Sequence, residues 1–313
     1  MRILVTGGAG FIGSHLVEAL LPFHTVAVLD NLSTGRRENL PPCVPFYHID
    51  LCDSESVQAH FQNHTYEVVF HLAAQVDVRT SIESPVQDAQ TNILGFLHLL
   101  EALKYQRPWI IFTSTGGAIY GEKPILPISE AETPQPESPY GIAKLTGELY
   151  LKFFSHVYGI PFTILRLANV FGPRQNPLGE AGVVAIFIYK LLRGQPAFIY
   201  GDGEQTRDFI YVEDVVRACT MVLEHPLRAQ GEIFNVGTGY QTSVNALYTQ
   251  IATLLRVQAP PIYHPPKLGE IRLNALSPQK LTEYIGWQPQ VSLEEGIQRT
   301  IAAFQKALAG ENA

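Results

Sequence analysis

A glycine-rich turn directly after a short apolar strand constrains the fold of this chain more than any other feature. The segment TGGAGFIG, residues 6–13, joins the strand pattern of Arg2–Val5 to an apolar helical pattern. Glycine allows a tight turn and close approach of the backbone to a ligand, and the N-terminus of the following helix offers unpaired N–H groups to an anion. This context predicts the first β-α unit of a fold that binds the pyrophosphate of a dinucleotide.

Short apolar runs then alternate with longer helical patterns through the first half of the chain. The predicted strands are Arg2–Val5, Thr25–Leu29, Val44–Tyr47, Glu67–His71, Trp109–Thr113 and Phe162–Leu167. The predicted helices between them are Phe11–Leu21, Ser54–Phe61, Val86–Leu103 and Ser138–Tyr158. Helices of this length serve as right-handed crossovers between parallel strands. The alternation predicts an α/β fold with a doubly wound parallel sheet, a Rossmann fold.

The pattern changes after Asn169, where Pro-rich turns precede a helix at Val183–Leu192 and a strand at Ala197–Tyr200. We therefore expect residues 1–168 to form a dinucleotide-binding domain, which residues 208–237 rejoin with a helix and a strand. Residues 169–207 and 238–313 are expected to form a smaller, discontinuous C-terminal lobe that binds the substrate. The length of the chain, 313 residues, suits two packed lobes better than one core.

Composition and charge narrow the classes of function. The net charge is −7 and the basic residues are scattered, so we expect no binding of nucleic acid or of an anionic membrane. The three cysteines share no CxxC spacing, which favours a reducing compartment. The N-terminus lacks a signal-peptide pattern, and no apolar run approaches the roughly 18 residues of a membrane span. We expect a soluble, cytoplasmic protein, without a metal because no histidine cluster has ligand spacing.

Asp30 follows the second predicted strand, where the carboxylate of a dinucleotide-binding unit accepts the hydroxyls of the adenosine ribose. The same carboxylate repels a 2′-phosphate, so NAD is favoured over NADP. Arg36 and Arg37 lie close in sequence and keep the phosphorylated cofactor open as an alternative. A second alternative is an ordinary strand-to-helix turn that ends in a loop aspartate.

Tyr140 and Lys144 form a YxxxK pattern that begins a predicted helix, and the i, i+4 spacing places both side chains on one face. Alone, this spacing also describes an exposed aromatic residue beside a solvated lysine. Here it follows a dinucleotide turn and the hydroxyl-rich end of the fifth strand, residues 113–115. The carboxyl ends of strands in a doubly wound sheet open onto the ligand crevice, which predicts a chemical site at this place.

Together these motifs resemble the extended short-chain dehydrogenase/reductase family, and the resemblance spans nearly the whole chain. The segments TGGAGFIGSHL, DNLSTG, HLAAQ, SPYGIAK, NVFGPRQ, GDGEQTRDFIYVEDV and FNVGTG look most like those of nucleotide-sugar 4-epimerases of the UDP-glucose type. The resemblance implies that a UDP-sugar is oxidised at C4 by NAD to a 4-keto sugar, which turns over and is reduced on its other face. Tyr140 is then the general base, and Lys144 lowers its pKa and holds the nicotinamide ribose.

The hydroxyl side chain that relays the proton beside Tyr140 does not stand at the position where many relatives carry it. Gly116 stands where many relatives carry a serine, so the hydroxyl must come from Thr115 or Ser114, and we favour Thr115. Residues 116–118 supply no acid, whereas similar 4,6-dehydratases and decarboxylating enzymes carry one there. Simple 4-epimerisation is therefore favoured over elimination. Two further alternatives stay open, an NAD(P)H-dependent reductase or dehydrogenase of a nucleotide sugar and a non-catalytic protein that senses dinucleotide.

The resemblance also implies the contacts with the cofactor. They lie in the glycine turn, after the second and third strands, in the HLAAQ segment, on the helix that follows it and in the chemical site. The expected residues are Gly7, Gly10, Phe11, Ile12, Gly13, Asp30, Asn31, Leu32, Ser33, Thr34, Gly35, Asp50, Leu51, Leu72, Ala73, Ala74, Gln75, Asn92, Thr113, Tyr140 and Lys144.

The contacts with the substrate follow in the same way. The positions that match those lining the sugar and the uridine are Thr115, Asn169, Val183 and Val184. The positions that match diphosphate contacts are Arg207 and Lys267, with Arg272 as a competitor because Lys267 replaces the usual arginine. Asn274 falls roughly where a bulky aromatic residue excludes N-acetylated sugars in some relatives, which raises the hypothesis of a wider pocket. The helices at 86–103 and 138–158 resemble the pair that forms a four-helix homodimer interface.

Overall fold

The computed structural model describes residues 1–178, 182–266 and 271–311. Its strands are β1 Arg2–Thr6, β2 Thr25–Asp30, β3 Phe46–His48, β4 Val68–His71, β5 Trp109–Thr115, β6 Phe162–Leu167, β7 Asn169–Phe171, β8 Phe198–Tyr200, β9 Thr206–Arg207, β10 Phe209–Tyr211, β11 Ile233–Val236, β12 Thr242–Ser243 and β13 Ile262–His264. Its α-helices are α1 Phe11–Leu20, α2 Ser54–Asn63, α3 Val78–Glu83, α4 Pro85–Ala89, α5 Gly95–Leu103, α6 Pro139–Tyr158, α7 Val183–Leu192, α8 Val212–Glu224, α9 Pro226–Ala229, α10 Val244–Leu255, α11 Gln279–Ile285 and α12 Leu293–Glu311.

Within the described residues the largest sheet has seven strands in the order β11-β6-β5-β4-β1-β2-β3, and all neighbouring pairs are parallel. The order reverses direction between β1 and β4, so the carboxyl ends of these two strands frame the crevice of a doubly wound sheet. The predicted α/β fold is therefore confirmed. Strand β11 joins the sheet beside β6, through four residue pairs from Ile233 to Val236.

Two apolar clusters cover the two faces of this sheet. Successive side chains in a strand point to opposite faces, so Leu4 and Ile110 belong to one cluster while Val5 and Ile111 belong to the other. All four are fully buried. Both faces of the sheet are therefore covered, which explains why its strands read as continuous apolar runs rather than as alternating ones.

The helix predicted over 86–103 is divided in three. Helix α4 ends at Ala89, a π-helical segment spans Gln90–Leu94, and α5 begins at Gly95. The wider π turn carries Asn92, whose buried side chain bonds to the loop after β4. The sequence pattern could not show this division, because it depends on a bond to a distant loop. Such π turns are frequent at functional sites.

Apart from β11, which joins the large sheet, and α8, which packs against α1, the segments after β6 build a smaller layer of paired strands and helices. Strand β7 pairs with β10, β8 with β13 and β9 with β12. The carboxylate of Asp208 is fully buried and accepts hydrogen bonds from the backbone N–H groups of Thr238, Gly239 and Leu276. This carboxylate therefore ties together three segments that are far apart in the sequence.

A buried group of polar side chains fixes α6 against the sheet. The Arg166 guanidinium on β6 donates to both carboxylate oxygens of Glu148 on α6, at 2.9 and 2.6 Å. The Ser114 hydroxyl donates to the same carboxylate at 2.7 Å, and Arg166 also donates to the Tyr120 hydroxyl at 2.8 Å. Because the charge of Glu148 is paired and its oxygens are hydrogen-bonded, the helix can pack on β5 and β6 without an unmatched charge.

Among the described residues, none of the helices is both long enough and apolar enough to cross a bilayer.

Candidate active site

The first turns of α6 carry the YxxxK pair. Ser138 caps the helix, since its Oγ accepts a hydrogen bond from Gly141 N at 3.2 Å, and Pro139 occupies the first helical position. Tyr140 and Lys144 then lie one turn apart on the face turned toward the carboxyl end of β5. The predicted pair is thus placed at the edge where the crevice opens.

Lys144 is almost completely buried, with 4% of its surface exposed. Its Nζ donates to the carbonyl oxygen of Thr113 at 2.9 Å and lies 4.9 Å from the centre of the Phe112 ring. Burial lowers the pKa of Lys144 to about 8, although the carboxylates of Asp88 and Glu148 act in the opposite direction. The lysine is therefore a cation that loses its proton just above neutral pH.

Tyr140 is partly buried beside Lys144 and Thr115. Burial is the main cause that raises the pKa of Tyr140, and the nearby Asp88 carboxylate raises it further. The Thr115 hydroxyl lies within reach of the phenol and, as a hydrogen-bond partner, lowers the pKa. In the protein alone the pKa of Tyr140 is therefore raised, because the desolvation of the phenolate outweighs the other contributions. The lowering expected from Lys144 together with bound NAD stays a prediction.

The two candidate relay hydroxyls point in different directions. Thr115 interacts with Tyr140, whereas Ser114 donates to the Glu148 carboxylate in the buried group described above. Neighbouring residues of a strand face opposite sides of the sheet, so only one of the two hydroxyls can face the crevice. The geometry favours Thr115 and gives Ser114 a place in the support of α6.

The glycine turn is so tightly folded that two of its glycines have no room for a side chain. Gly7 has a φ of +70°, and a Cβ added to it would lie 2.6 Å from Ala73 N. A Cβ on Gly13 would lie 2.2 Å from the carbonyl oxygen of Gly7. Helix α1 begins after Gly10, which has no side chain to cover the N–H groups of Phe11, Ile12 and Gly13 in its first turn. The donors of this helix end are thus available to an anion.

Asp30 lies at the carboxyl end of β2 beside this turn. Its Oδ2 accepts a hydrogen bond from Ala9 N at 3.0 Å and its Oδ1 accepts one from Leu32 N at 2.8 Å. These bonds fix the carboxylate where a ribose would meet the turn. The Arg37 guanidinium lies over the Phe46 ring, 5.2 Å from its centre, and donates to a nearby carbonyl. This arrangement fits NAD better than a cofactor with a 2′-phosphate.

The remaining cofactor candidates line the loops after β2 and β3. Asn31 Nδ2 donates to Asp50 Oδ2 at 3.0 Å, and Asn31 Oδ1 accepts from Ser33 N at 3.0 Å. Leu51 is buried beneath these loops, while Thr34 is exposed and Gly35 is half-buried against the glycine turn. The structure therefore joins Asn31 to Asp50 and places Gly35 beside Asp30, while the contacts of these residues with a cofactor stay a prediction.

The HLAAQ segment and the π turn are joined by a reciprocal pair of hydrogen bonds. Gln75 N donates to Asn92 Oδ1, and Asn92 Nδ2 donates to the carbonyl oxygen of Gln75, both at 2.9 Å. Leu72 N donates to the Thr6 carbonyl oxygen at 3.1 Å, which places Ala73 and Ala74 beside the glycine turn. Thr113 is buried at the neighbouring strand end, next to Lys144.

Among the candidate contacts with the substrate, Asn169 lies next to the loop that follows Thr115, residues 116–118, which is called the relay loop below. Its Oδ1 is buried, and a Cβ added to Gly117 would lie 3.5 Å from it. Val183 is half-buried at the start of α7, whereas the Val184 side chain belongs to the apolar core. Only the backbone of Val184 can therefore contact a ligand, and its side chain contributes to packing.

The basic residues that match diphosphate contacts also differ in their surroundings. Arg207 on β9 is half-buried and donates to the carbonyl oxygen of Thr206 at 2.8 Å. Arg272 donates to both oxygens of Asp202, at 3.0 and 2.8 Å, in an exposed salt bridge. Lys267 lies outside the described residues. Of the two guanidinium groups that the structure describes, that of Arg207 is therefore the better placed to bind a diphosphate.

Two carboxylates next to Lys144 were not among the sequence-based candidates. Glu148 stands four residues after Lys144, a helical spacing that could have indicated it. Asp88 has the same spacing to Asn92, to which it bonds. Among the described residues no group of three or more His, Cys, Asp or Glu side chains could hold a metal ion.

Comparison with known proteins yields a consistent set of relatives. Residues 3–237 match the model of the NAD-dependent epimerase/dehydratase family. The chain is 46% identical to a putative UDP-glucose 4-epimerase of Methanocaldococcus jannaschii, covering 96% of this chain and 97% of that protein. It is 44% identical to the UDP-glucose 4-epimerase of Mycolicibacterium smegmatis, covering 97% and 99%.

Solved structures of UDP-glucose 4-epimerases are also similar to this chain. A UDP-glucose 4-epimerase of Thermotoga maritima with UDP-glucose is 49% identical, with a TM-score of 0.95 and coverage of 98% of this chain and 100% of that chain. A UDP-glucose 4-epimerase of Thermus thermophilus in complex with NAD is 44% identical, with a TM-score of 0.93 and the same coverage.

The position of Asp30 predicts the effect of removing its charge. Asp30→Asn keeps the size of the side chain, and we expect the affinity for NAD to fall about 10- to 100-fold because charge-assisted hydrogen bonds to the ribose are weakened. Calorimetric titration of cofactor-free protein with NAD and with NADP measures both affinities. Asp53→Asn, at the capped start of α2, is the control. Equal NAD affinity in the Asp30 variant and the wild type would contradict this role.

Proposed function

This chain belongs to the NAD-dependent epimerase/dehydratase family, and on that premise we propose that it is an NAD-dependent UDP-sugar 4-epimerase that interconverts UDP-glucose and UDP-galactose. The observation that carries the proposal is the meeting of Tyr140, Thr115 and the buried Lys144 at the carboxyl end of β5. Relatives that are 44% and 49% identical over nearly the whole chain are named UDP-glucose 4-epimerases. Residues 116–118 carry no acidic side chain that elimination would need.

NAD, when bound, supplies the acceptor and donor of the hydride. In the proposal the glycine turn at Gly7–Gly13 holds its pyrophosphate, Asp30 holds the adenosine ribose, and Lys144 holds the nicotinamide ribose. The loops around Asn31, Leu51 and Gln75 enclose the rest of the molecule. The fixed carboxylate of Asp30 and the open end of α1 support these assignments.

Tyr140 handles the proton of the sugar 4-hydroxyl. It accepts this proton while C4 is oxidised to the ketone and returns it when C4 is reduced from the other face. Burial opposes the phenolate, so the Lys144 ammonium and the positive charge that NAD brings must offset this penalty. Thr115 hydrogen-bonds to both the phenol and the sugar oxygen in this scheme, which makes it the relay hydroxyl.

The substrate lies between the two parts of the chain. We assign residues 1–168 and 208–237 to the cofactor domain and residues 169–207 and 238–313 to the nucleotide-sugar lobe, a division that the return of β11 to the sheet supports. Contacts with the sugar and uridine come from Thr115, Asn169, Val183 and the backbone of Val184. The diphosphate is bound by Arg207, with Lys267 as a second contact and Arg272 as an outer one.

A wider sugar pocket is part of the proposal. Asn274 is completely buried, and its Nδ2 donates to the carbonyl oxygen of Gly116 at 3.3 Å. The small amide therefore lies directly behind the relay loop, where a larger side chain would narrow the pocket. On this basis UDP-GlcNAc is accepted beside UDP-glucose. Turnover of UDP-glucose alone would contradict this extension.

We also propose that the protein is a cytoplasmic homodimer in which residues 86–103 and helix α6 of two copies pack together. Helix α6 has a stripe of exposed apolar side chains at Ile142, Leu149, Phe153 and Val157, spaced by helical repeats. An exposed apolar face of this kind is typical of an interface. The three cysteines are free thiols, which suits a reducing compartment.

The reaction is tested with the purified protein and no added cofactor. UDP-glucose, UDP-glucuronate and UDP-GlcNAc are incubated separately, and inversion at C4 is followed by NMR. We expect a C4 epimer from UDP-glucose, and Tyr140→Phe should lower kcat at least about 100-fold because it removes the general base. Turnover that requires and consumes NAD(P)H would instead support a reductase. No turnover under either condition would favour a sugar outside these three or a dinucleotide sensor.

The relay hydroxyl is tested by a matched pair of variants. Thr115→Val keeps the shape of the side chain, and we expect kcat to fall about 100-fold because the hydroxyl is lost beside Tyr140. Ser114→Ala removes a hydroxyl that bonds to Glu148, so it should lower stability by about 1 kcal/mol and leave kcat within a few-fold of the wild type. The reverse ranking of the two kcat values would show that Ser114 is the relay.

The homodimer is tested by placing a charge in the exposed stripe. Phe153→Glu should convert a dimer into a monomer, because an unpaired carboxylate would be buried at the interface. Light scattering after size-exclusion chromatography gives the molar mass. Leu227→Glu, at a fully exposed position on α9, is the control and should leave the mass unchanged. A monomeric wild type, or a Phe153 variant that stays dimeric, would contradict the proposed interface.

A further inference from the structure

Asp88 is a buried carboxylate that the steps described so far do not use. It lies on the short helix α4, just before the π turn, and only 2% of its surface is exposed. Aspartate is seldom buried to this extent unless its charge is paired or hydrogen-bonded. The contacts of its two oxygens therefore indicate what the residue does.

One oxygen holds the cofactor loop in place. Oδ1 accepts hydrogen bonds from Gln75 Nε2 and from Asn92 Nδ2, both at 2.9 Å. Gln75 and Asn92 also bond to each other through the backbone of Gln75. The Asp88 carboxylate thus joins the loop after β4, helix α4 and the π turn at one point.

The other oxygen is buried and accepts no hydrogen bond from the residues that the structure describes. Helix α4 packs against α6, and the Asp88 charge acts on both Lys144 and Tyr140. Burial raises the pKa of Asp88, while Gln75, Asn92 and the Lys144 ammonium lower it. The Asp88 carboxylate and the Lys144 ammonium are therefore opposite charges, both buried, on two helices that pack together.

The other charged groups around Lys144 do not take the place of Asp88 in stabilising its ammonium. Glu148 acts on the same lysine, but Arg166 already pairs with both of its oxygens. His71 on β4 has a pKa lowered by burial and by Lys144, so it is neutral, and its Nδ1 bonds to the Thr6 hydroxyl. On α3, Glu83 is exposed, and Arg79 lies over the Tyr200 ring. The π turn contributes no ionisable side chain.

We propose that Asp88 is a positioning residue of the active site, which fixes Gln75 and Asn92 through one oxygen and stabilises the Lys144 ammonium with its negative charge. The role of that ammonium in turnover rests on the proposed function, but its ionisation does not. The same charge disfavours the Tyr140 phenolate, because like charges repel. Loss of the charge should therefore lower the pKa of Lys144 and of Tyr140 together.

Asp88→Asn separates the two parts of this role. The amide oxygen can still accept the hydrogen bonds from Gln75 and Asn92, while the negative charge is lost. Lysine labelled with ¹³C at Cε reports the ionisation of Lys144 by NMR in cofactor-free protein, and the signal is assigned by its absence in Lys144→Arg. We expect a titration midpoint at about 8 in the wild type and a midpoint lower by about one to two pH units in the variant.

Three further variants complete the experiment. Asp88→Glu retains the charge and should keep the midpoint within about half a pH unit of the wild type, whereas Asp88→Gln repeats the test in the longer side chain if Asp88→Asn does not fold. Glu83→Gln removes an exposed carboxylate nearby and should change nothing, because solvent screens it. An unchanged Lys144 midpoint in folded Asp88→Asn or Asp88→Gln would overturn the proposal. This readout needs neither turnover nor NAD, so its failure is distinct from a failure of the epimerase proposal.

The pH profile of kcat distinguishes an effect of the Asp88 charge from an effect of its hydrogen bonds alone. In an active enzyme, Asp88→Asn should move the whole pH profile of kcat to lower pH, since both pKa values fall together. A role confined to holding Gln75 and Asn92 would weaken NAD binding without moving the profile. The second result would overturn the electrostatic part of the proposal.

Discussion

The site depends on the burial of one ammonium group. Lys144 is packed against Phe112 and bonded to the Thr113 carbonyl, so its charge is removed from water and must be stabilised by the protein. This constraint explains the polar groups below and beside α6. Glu148 is neutralised by Arg166 and anchors the helix, while Asp88 approaches from α4. Burial lowers the pKa of this lysine to about 8, and the neighbouring carboxylates oppose that effect.

Local sequence patterns were sufficient for the parts of the fold that depend on neighbouring residues. The glycine turn, the strand that ends in Asp30 and the YxxxK turn are each short segments whose geometry follows from their own residues. The alternation of strands and helices predicted the parallel sheet, which is confirmed. The end of β3 and the division of the helix over 86–103 were not predicted, because strand pairing and the distant Gln75 loop determine them.

The chemistry of the site was only partly predictable for the same reason. The choice between Ser114 and Thr115 depends on which face of β5 meets Tyr140, and that is set by the packing of α6. The raised pKa of Tyr140 reflects burial, which the sequence does not report. Spacing could not separate Arg272 from Lys267 as a diphosphate contact, and the structure adds only that Arg272 forms an exposed salt bridge with Asp202. Asp88 was missed because Gln75, which it contacts, and Lys144, on which its charge acts, lie in other segments of the sequence.

The central claim is that C4 of the sugar is oxidised and reduced within one bound complex. The most direct test uses UDP-glucose that carries deuterium at C4, incubated with the protein in ordinary water together with unlabelled NAD. The account predicts UDP-galactose that retains the deuterium at C4, because the hydride returns to the carbon that it left. Loss of the deuterium to water or to the added NAD would contradict it.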